Sequence, residues 1–151
     1  LFEQRPDEAQ ALLDIGVIYL QDSAVELEGF KIYGSPWQPR FYDWAFNLMR
    51  GPELAEKWKL IPDDVDVLIT HGPPNGILDL VPRHGWNEKT GCEELRKRVE
   101  EIAEFGRLKL HVFGHIHCSY GVHEELGVKF VNASICDEDY RPSNRPIIVD
   151  I

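Results

Sequence analysis

The stretches VDVLITHGPP, residues 65 to 74, and LKLHVFGHIH, residues 108 to 117, give the strongest indication of the fold class. Each is a short apolar run that ends in histidine and glycine, and such runs are typical of strands buried inside a sheet. Between them, residues 91 to 104 repeat apolar side chains at helical spacing and predict an amphipathic helix. The order strand, helix, strand predicts two parallel strands joined by a right-handed crossover, and therefore an α/β fold.

Two further helices are predicted. The segment Arg5 to Asp14 has Pro6 at its first helical position and Gly16 as its stop. A second helix opens at Gly51-Pro52 and runs to about Trp58. For the helix of residues 91 to 104, Thr90 and Glu93 have the spacing of a capping box.

The remaining strands are predicted from short β-branched or aromatic runs between polar or glycine breaks. Residues 75 to 89 contain two glycines and a proline, and we interpret them as a long loop of functional interest. Ser35 is interpreted as a turn residue. The predicted strands are Val17 to Leu20, Ser23 to Leu27, Phe30 to Tyr33, Val65 to Thr70, Leu108 to Phe113, Ser119 to His123, Val128 to Asn132 and Ile147 to Asp150.

The amino-acid composition limits the classes of protein to which this chain can belong. The 151 residues, of which 43% are hydrophobic, suit one globular domain. No apolar run approaches the roughly 20 residues that span a bilayer, so we expect no membrane partner and a cytoplasmic location. The net charge of −10 disfavours an extended nucleic-acid surface, although bound cations would permit a phosphate substrate. The three cysteines show no CxxC spacing and are expected to be reduced.

Histidines follow both buried strands at the ends where ligands bind in open α/β sheets. His115 and His117 are two residues apart, so an extended chain would project both imidazoles to one side. Neutral imidazoles there would suit zinc, iron or manganese. A purely structural role at the strand end is the alternative, and His71 after the other strand makes it less attractive. His111 is interpreted as a packed or supporting residue.

An aromatic segment without clean periodicity precedes the second helix. Such a cluster seals a core or, with Arg40 and Arg50 nearby, walls a phosphate-binding pocket. Both interpretations stay open. Its aromatic residues are Trp37, Phe41, Tyr42, Trp44 and Phe46.

Four stretches carry a resemblance: THGPP at 70 to 74, FGHIH at 113 to 117, GSPWQPRFYDWAFNLMRGPELAEKW at 34 to 58 and VNASICDEDYRPSNRPIIVDI at 131 to 151. Together they resemble the calcineurin-like metallophosphoesterases, and more narrowly their metallophosphoesterase-domain-containing, brain phosphodiesterase-like branch. The resemblance runs through residues 30 to 151. It implies that residues 1 to 151 form a single partial domain, the C-terminal portion of a four-layer α/β/β/α sandwich.

The resemblance also implies a hydrolase that cleaves phosphate esters, most specifically phosphodiesters, at a dinuclear metal site. By motif, His71 and His115 would bind one metal and His117 the other. The two divalent ions would be manganese, iron, zinc or magnesium, and they would activate a hydroxide. Arg50 is the predicted substrate-binding residue, and the predicted partner is a small phosphate ester.

The sequence departs from the family in one respect. The family's N-terminal motifs DxH, GDxxD and GNH[DE], which carry the carboxylate ligands and the proton-donating histidine, do not occur in these residues. No catalytic residue is therefore assigned, and we expect weak metal binding and little hydrolysis from these residues alone. An N-terminal half or a second copy is expected to add strands beside VDVLIT and LKLHVF. The alternatives are a non-catalytic metal- or nucleotide-binding module and an interaction domain whose histidines only pack.

Overall fold

The structure is a computed structural model that describes residues 3–13 and 16–151. Three α-helices, ten strands and one short 3-10 turn follow in chain order within that part of the chain. They are α1 (Pro6–Leu12), β1 (Ser23–Leu27), β2 (Phe30–Ser35), β3 (Gln38–Pro39), β4 (Asn47–Leu48), α2 (Pro52–Trp58), β5 (Val67–Thr70), β6 (Leu80–Arg83), β7 (Trp86–Lys89), α3 (Glu93–Glu104), β8 (Leu110–Phe113), the 3-10 turn (His117–Ser119), β9 (Gly121–Glu125) and β10 (Val128–Asn132).

Six strands form one mostly parallel sheet in the order β1-β2-β5-β8-β10-β9. The four central strands run parallel, and β1 and β9 close the two edges in antiparallel pairs. The pairing of β5 with β8 across α3 confirms the predicted parallel unit, so the α/β class is confirmed. The carboxyl ends of β5 and β8 consequently lie side by side.

Helices α2 and α3 pack on one face of this sheet. Trp58 from α2 and Val99 from α3 join Leu68 and Phe130 of the sheet in one buried cluster. Strands β5, β8 and β10 alternate between this face and the other, as strand geometry requires. The helices therefore hold the three strands whose ends carry the candidate site.

The opposite face has a smaller cluster in which no helix takes part. Val67, Leu110 and Val131 are buried there against the tail residues Ile147 and Val149. Among the described residues, α2 and α3 thus lie on one face of the sheet, and the cluster on the other face contains no helix residue. The expectation that added strands neighbour VDVLIT and LKLHVF is wrong, because β5 lies between β2 and β8 and β8 lies between β5 and β10.

Several element boundaries differ from prediction. Residues 75 to 89 are not a plain loop, since β6 and β7 form an antiparallel hairpin with Gly85 at its turn. The capping box is wrong as well: Cys92 caps α3 by accepting from the Leu95 amide, while the Thr90 hydroxyl donates to the Asp79 carbonyl. Proximity along the chain suggested the box, but the buried thiol lies at the helix start.

Other corrections concern short segments. Residues 17 to 20 and 147 to 150 are not strands. Ser35 is the last residue of β2, and its hydroxyl donates to Asp22 at 2.8 Å, so it is not a turn residue. The first helix ends at Leu12, and Asp14 lies outside the described residues. Among the described residues, no helix has the length and apolar character needed to cross a membrane. All three cysteines are free thiols, as predicted.

Candidate metal centre

His71 and His115 meet where β5 and β8 end. His71 Nε2 lies 3.1 Å from His115 Nδ1, and the ring centroids are 4.7 Å apart. The backbone amide of Gly114 donates to the His71 carbonyl at 3.0 Å, which ties the two loops together. The parallel pairing of β5 with β8 therefore brings together two of the three predicted ligands, which are 44 residues apart in sequence.

Burial keeps this pair of imidazoles neutral. Loss of hydration, and then repulsion from His71 and His117, lowers the pKa of His115 to about 4. The His71 side chain retains an exposed surface, yet the protein atoms crowded around it also lower its pKa. Near neutral pH both rings carry lone pairs. One ring can then donate a hydrogen bond to the other, or both lone pairs can face one cation.

The backbone at His115 is strained. Its φ of 69° lies in the left-handed region, which residues with a Cβ rarely adopt. The Ile116 amide donates to the Gly114 carbonyl at 2.8 Å, so the chain turns sharply there. The premise that His115 and His117 project from an extended strand is therefore wrong. The chain bends at His115 and enters the 3-10 turn at His117.

His117 is oriented by a backbone carbonyl. Its Nδ1 lies 2.9 Å from the Asp137 carbonyl oxygen, and its ring meets Tyr140 edge-on with centroids 5.0 Å apart. Since a carbonyl can only accept, Nδ1 carries a proton, and Nε2 is the nitrogen that can bind a metal ion. Metal-binding histidines are commonly fixed in this way.

The described residues fit part of a metal site. Two nitrogens bound at about 2.1 Å to one tetrahedral ion lie about 3.4 Å apart, close to the His71–His115 separation. Within residues 3–13 and 16–151, however, no group of three or more histidine, cysteine or carboxylate side chains is placed to hold an ion. The described residues therefore fit two ligands of one cation, with His117 as an oriented neighbour, and they do not fit a complete two-cation site. The metal-binding roles of all three histidines remain predictions.

A cavity of about 550 Å³ opens beside these histidines. His115 and His117 both line it. Phe41 packs edge-on against His115 with ring centroids 5.2 Å apart. Tyr42 and Trp44 line the cavity, whereas Trp37 packs against the core, so the aromatic segment both walls a pocket and seals the core.

Arg50 also lines the cavity, but protein acceptors already engage its guanidinium. Nη1 donates to the Gly91 carbonyl at 2.8 Å and to Glu93 at 2.5 Å, and Nη2 donates to the Thr90 carbonyl at 2.8 Å. These bonds fix the segment that leads into α3. The substrate-binding role of Arg50 stays a prediction.

Two supporting groups lie behind the histidines. Asn132, at the end of β10, is fully buried and donates to the Ile116 carbonyl at 2.8 Å. His111 is also fully buried and contacts Thr70, as expected for a packed or supporting residue. A polar residue at the end of an apolar strand, as in VNAS, is the sequence feature that could have indicated Asn132. The sequence could not show that its partner is the Ile116 carbonyl.

The other two histidines lie away from this centre. His84 is exposed beside the turn of the β6–β7 hairpin. His123 is exposed on the edge strand β9, where Nε2 lies 3.2 Å from a Glu125 carboxylate oxygen. Neither lines the cavity.

Comparison with known proteins gives close relatives over most of the chain. It is 52% identical over 145 residues to human metallophosphoesterase domain-containing protein 1, a match that covers 96% of this chain and 43% of that protein. The same figures apply to the mouse protein of that name. A Caenorhabditis elegans protein of the UPF0046 group is 47% identical over 134 residues, covering 89% of this chain and 32% of the worm protein. This chain thus spans less than half the length of these relatives.

Two further comparisons complete the picture. A solved crystal structure superposes on 86% of this chain and 51% of its own, with a TM-score of 0.56 at 18% identity, a likeness of fold alone. No family model matches the chain.

Proposed function

Because this chain belongs to the metallophosphoesterase domain-containing proteins, of which it spans less than half, we propose that it supplies imidazole ligands to a centre that hydrolyses phosphate esters. The observation that carries the proposal is the 3.1 Å approach of His71 Nε2 to His115 Nδ1 beside an open cavity. The predicted substrate is a small phosphodiester.

The residues of this chain have separate roles in the proposal. His71 and His115 would hold one divalent ion, and His117 would offer its Nε2 lone pair to a second one. Bound divalent ions of this kind lower the pKa of a coordinated water and neutralise the charge of the phosphoryl group. The aromatic wall of Phe41, Tyr42 and Trp44 would exclude water and hold the organic part of the ester.

Within the part of the chain that the structure describes, no group of three or more potential ligands is placed to hold an ion, which supports the expectation of weak binding by these residues alone. Histidines are neutral ligands, so they offset none of the charge of two dications. The remaining ligands and the proton-donating group would come from the part of the relatives that this chain does not span. An edge strand of the sheet would receive that part or a second copy. The proposal includes a cytoplasmic location for the protein.

A paired assay tests the activity. Hydrolysis of bis-p-nitrophenyl phosphate with added Mn²⁺ is measured for this chain and for a protein that spans the full length of the relatives. We expect turnover by the longer protein and little by this chain. The longer protein with His115→Ala should lose at least about a hundredfold in kcat, and His84→Ala should not change it. An inactive longer protein would contradict the proposal.

A non-catalytic module that binds one metal ion or a nucleotide is the second candidate. It is favoured by the fact that the described residues bring only His71 and His115 into direct contact and place no third ligand with them. Metal content separates the two functions. Two ions per full-length protein support hydrolysis, and one ion that persists in an inactive full-length protein supports the module.

A further inference from the structure

A buried chain of hydrogen bonds spans the turn that carries His71. His111 Nε2 lies 2.9 Å from the Thr70 hydroxyl oxygen, which lies 2.8 Å from the Gly72 carbonyl oxygen. Thr70 precedes His71 and Gly72 follows it. The Thr70 hydroxyl therefore connects the two ends of the turn, and His111 of the neighbouring strand β8 holds that hydroxyl.

Proton counting fixes the direction of this chain. The Gly72 carbonyl can only accept, so it takes the single hydroxyl proton of Thr70. The Thr70 oxygen must then accept from His111 Nε2–H. A neutral imidazole protonated at Nε2 has a bare lone pair at Nδ1, and among the described residues this buried atom has no hydrogen-bond partner.

Packing alone does not explain a histidine at this position. The rings of Phe113 and Phe130 lie edge-on to His111, with centroids at 5.0 and 5.7 Å, and the site is fully buried. A phenylalanine would suit such surroundings and would leave no polar atom unsatisfied. Compared with phenylalanine, the imidazole provides one additional hydrogen-bond donor, Nε2–H, which donates to the Thr70 hydroxyl.

We propose that His111 is a positioning residue that acts through Thr70 to fix the His71–Gly72 turn and so aims His71 Nε2 at His115 Nδ1. The Gly114 amide, which donates to the His71 carbonyl, holds the same turn from the β8 side. The carbonyls of His71 and Gly72 then both accept hydrogen bonds, so the backbone from which the His71 ring projects is held in place. That the positioned His71 serves to bind a metal ion rests on the proposed function. That His111 and Thr70 order the His71–Gly72 turn does not.

The test uses NMR on the metal-free 151-residue chain. Two readouts are taken: the 15N shifts of the His71 ring, which report its tautomer, and the hydrogen-exchange protection of the Gly114 amide. That protection is divided by the protection of the Lys129 amide in β10, which donates to the Lys109 carbonyl at the opposite end of β8. The ratio separates local loosening of the turn from global loss of stability.

The variants are chosen to isolate the donor chain. Thr70→Val removes the hydroxyl, Thr70→Ser restores it, and His111→Phe removes the donor together with its unsatisfied nitrogen. Val99→Ala, a core truncation in α3, supplies global destabilisation without touching the turn. We expect Thr70→Val to lower the Gly114:Lys129 ratio at least about tenfold and to shift the His71 ring signals, with Thr70→Ser close to wild type.

His111→Phe should move both readouts in the same direction without lowering the thermal midpoint, and Val99→Ala should leave the ratio unchanged. The proposal is overturned if Thr70→Val and His111→Phe leave the ratio and the ring signals unchanged, or if Val99→Ala changes them equally. Loss of the proposed hydrolytic function would leave these metal-free readouts as they are, so the two failures are distinguishable.

Discussion

Asn132 Nδ2 donates to the carbonyl oxygen of Ile116, the residue between the two cavity histidines, at 2.8 Å. The same amide donates to the Leu78 carbonyl at 3.3 Å, and its Oδ1 accepts from the amide and hydroxyl of Ser134. The side chain is fully buried with both its donors and its acceptor in use. One residue at the end of β10 thus braces the histidine turn, the loop after β5 and the start of the tail.

Replacing Asn132 with leucine should lower the free energy of unfolding by about 2–4 kcal/mol. The change removes the partners of the buried Ile116 carbonyl and Ser134 amide and of the partly buried Leu78 carbonyl, and each fully buried unsatisfied group costs about 1–3 kcal/mol. Urea denaturation measures the loss. The exposed Asn87 provides the control, because Asn87→Leu should stay within about 0.5 kcal/mol of wild type. If the Asn132→Leu chain were as stable as wild type, the hydrogen bonds of the Asn132 side chain would make no net contribution to stability.

Cys92 stabilises the start of α3. Its sulfur accepts from the Leu95 amide at 3.4 Å and from the Trp58 indole at 3.2 Å inside the core. Cys92→Ala should lower the free energy of unfolding by about 1–2 kcal/mol, the usual cost of a lost cap with a small packing defect. Cys118→Ala, at an exposed position, is the matched comparison in the same denaturation experiment. Equal stability of the two variants would argue against a capping role.

The same burial makes the Cys92 thiol unreactive. Desolvation raises its pKa to about 11, so near pH 8 almost none of it is thiolate, the nucleophilic form. We expect Ellman's reagent to react with Cys118 and Cys136 in the folded chain and with Cys92 only after urea unfolds it. Mass spectrometry of the labelled peptides identifies the sites. Rapid labelling of Cys92 without denaturant would show that the α2–α3 contact opens readily.

Acid should destabilise the fold through its buried imidazoles. Desolvation lowers the pKa of His111 to about 3 and that of His115 to about 4, from an ordinary value of 6.5. Below 6.5 the unfolded chain binds protons that the folded chain does not, so stability is highest above that pH and falls as pH decreases towards these values. Urea midpoints measured at several pH values report the slope. His111→Phe should reduce it, and an unchanged slope would exclude His111 as its source.

The periodic parts of the fold could be predicted from the amino-acid sequence. Apolar runs of strand length and the apolar face of α3 correctly placed β5, β8, β10 and the helix between the first two, because burial acts on every side chain of such a repeat. The sequence also predicted that histidines would follow two adjacent strands. The parallel order follows from the helical crossover, and so does the shared edge at which His71 and His115 meet.

The conformation of the loops could not be predicted in this way, because single long-range contacts outweigh local propensity there. The left-handed turn at His115, the Cys92 cap and the β6–β7 hairpin depend on partners distant in sequence or on backbone geometry without a periodic signal. Which buried polar groups brace the histidines was decided in the same way. Asn132 reaches a residue 16 positions away and His111 one 41 positions away, because hydrogen bonds are satisfied across space and no residue spacing encodes that.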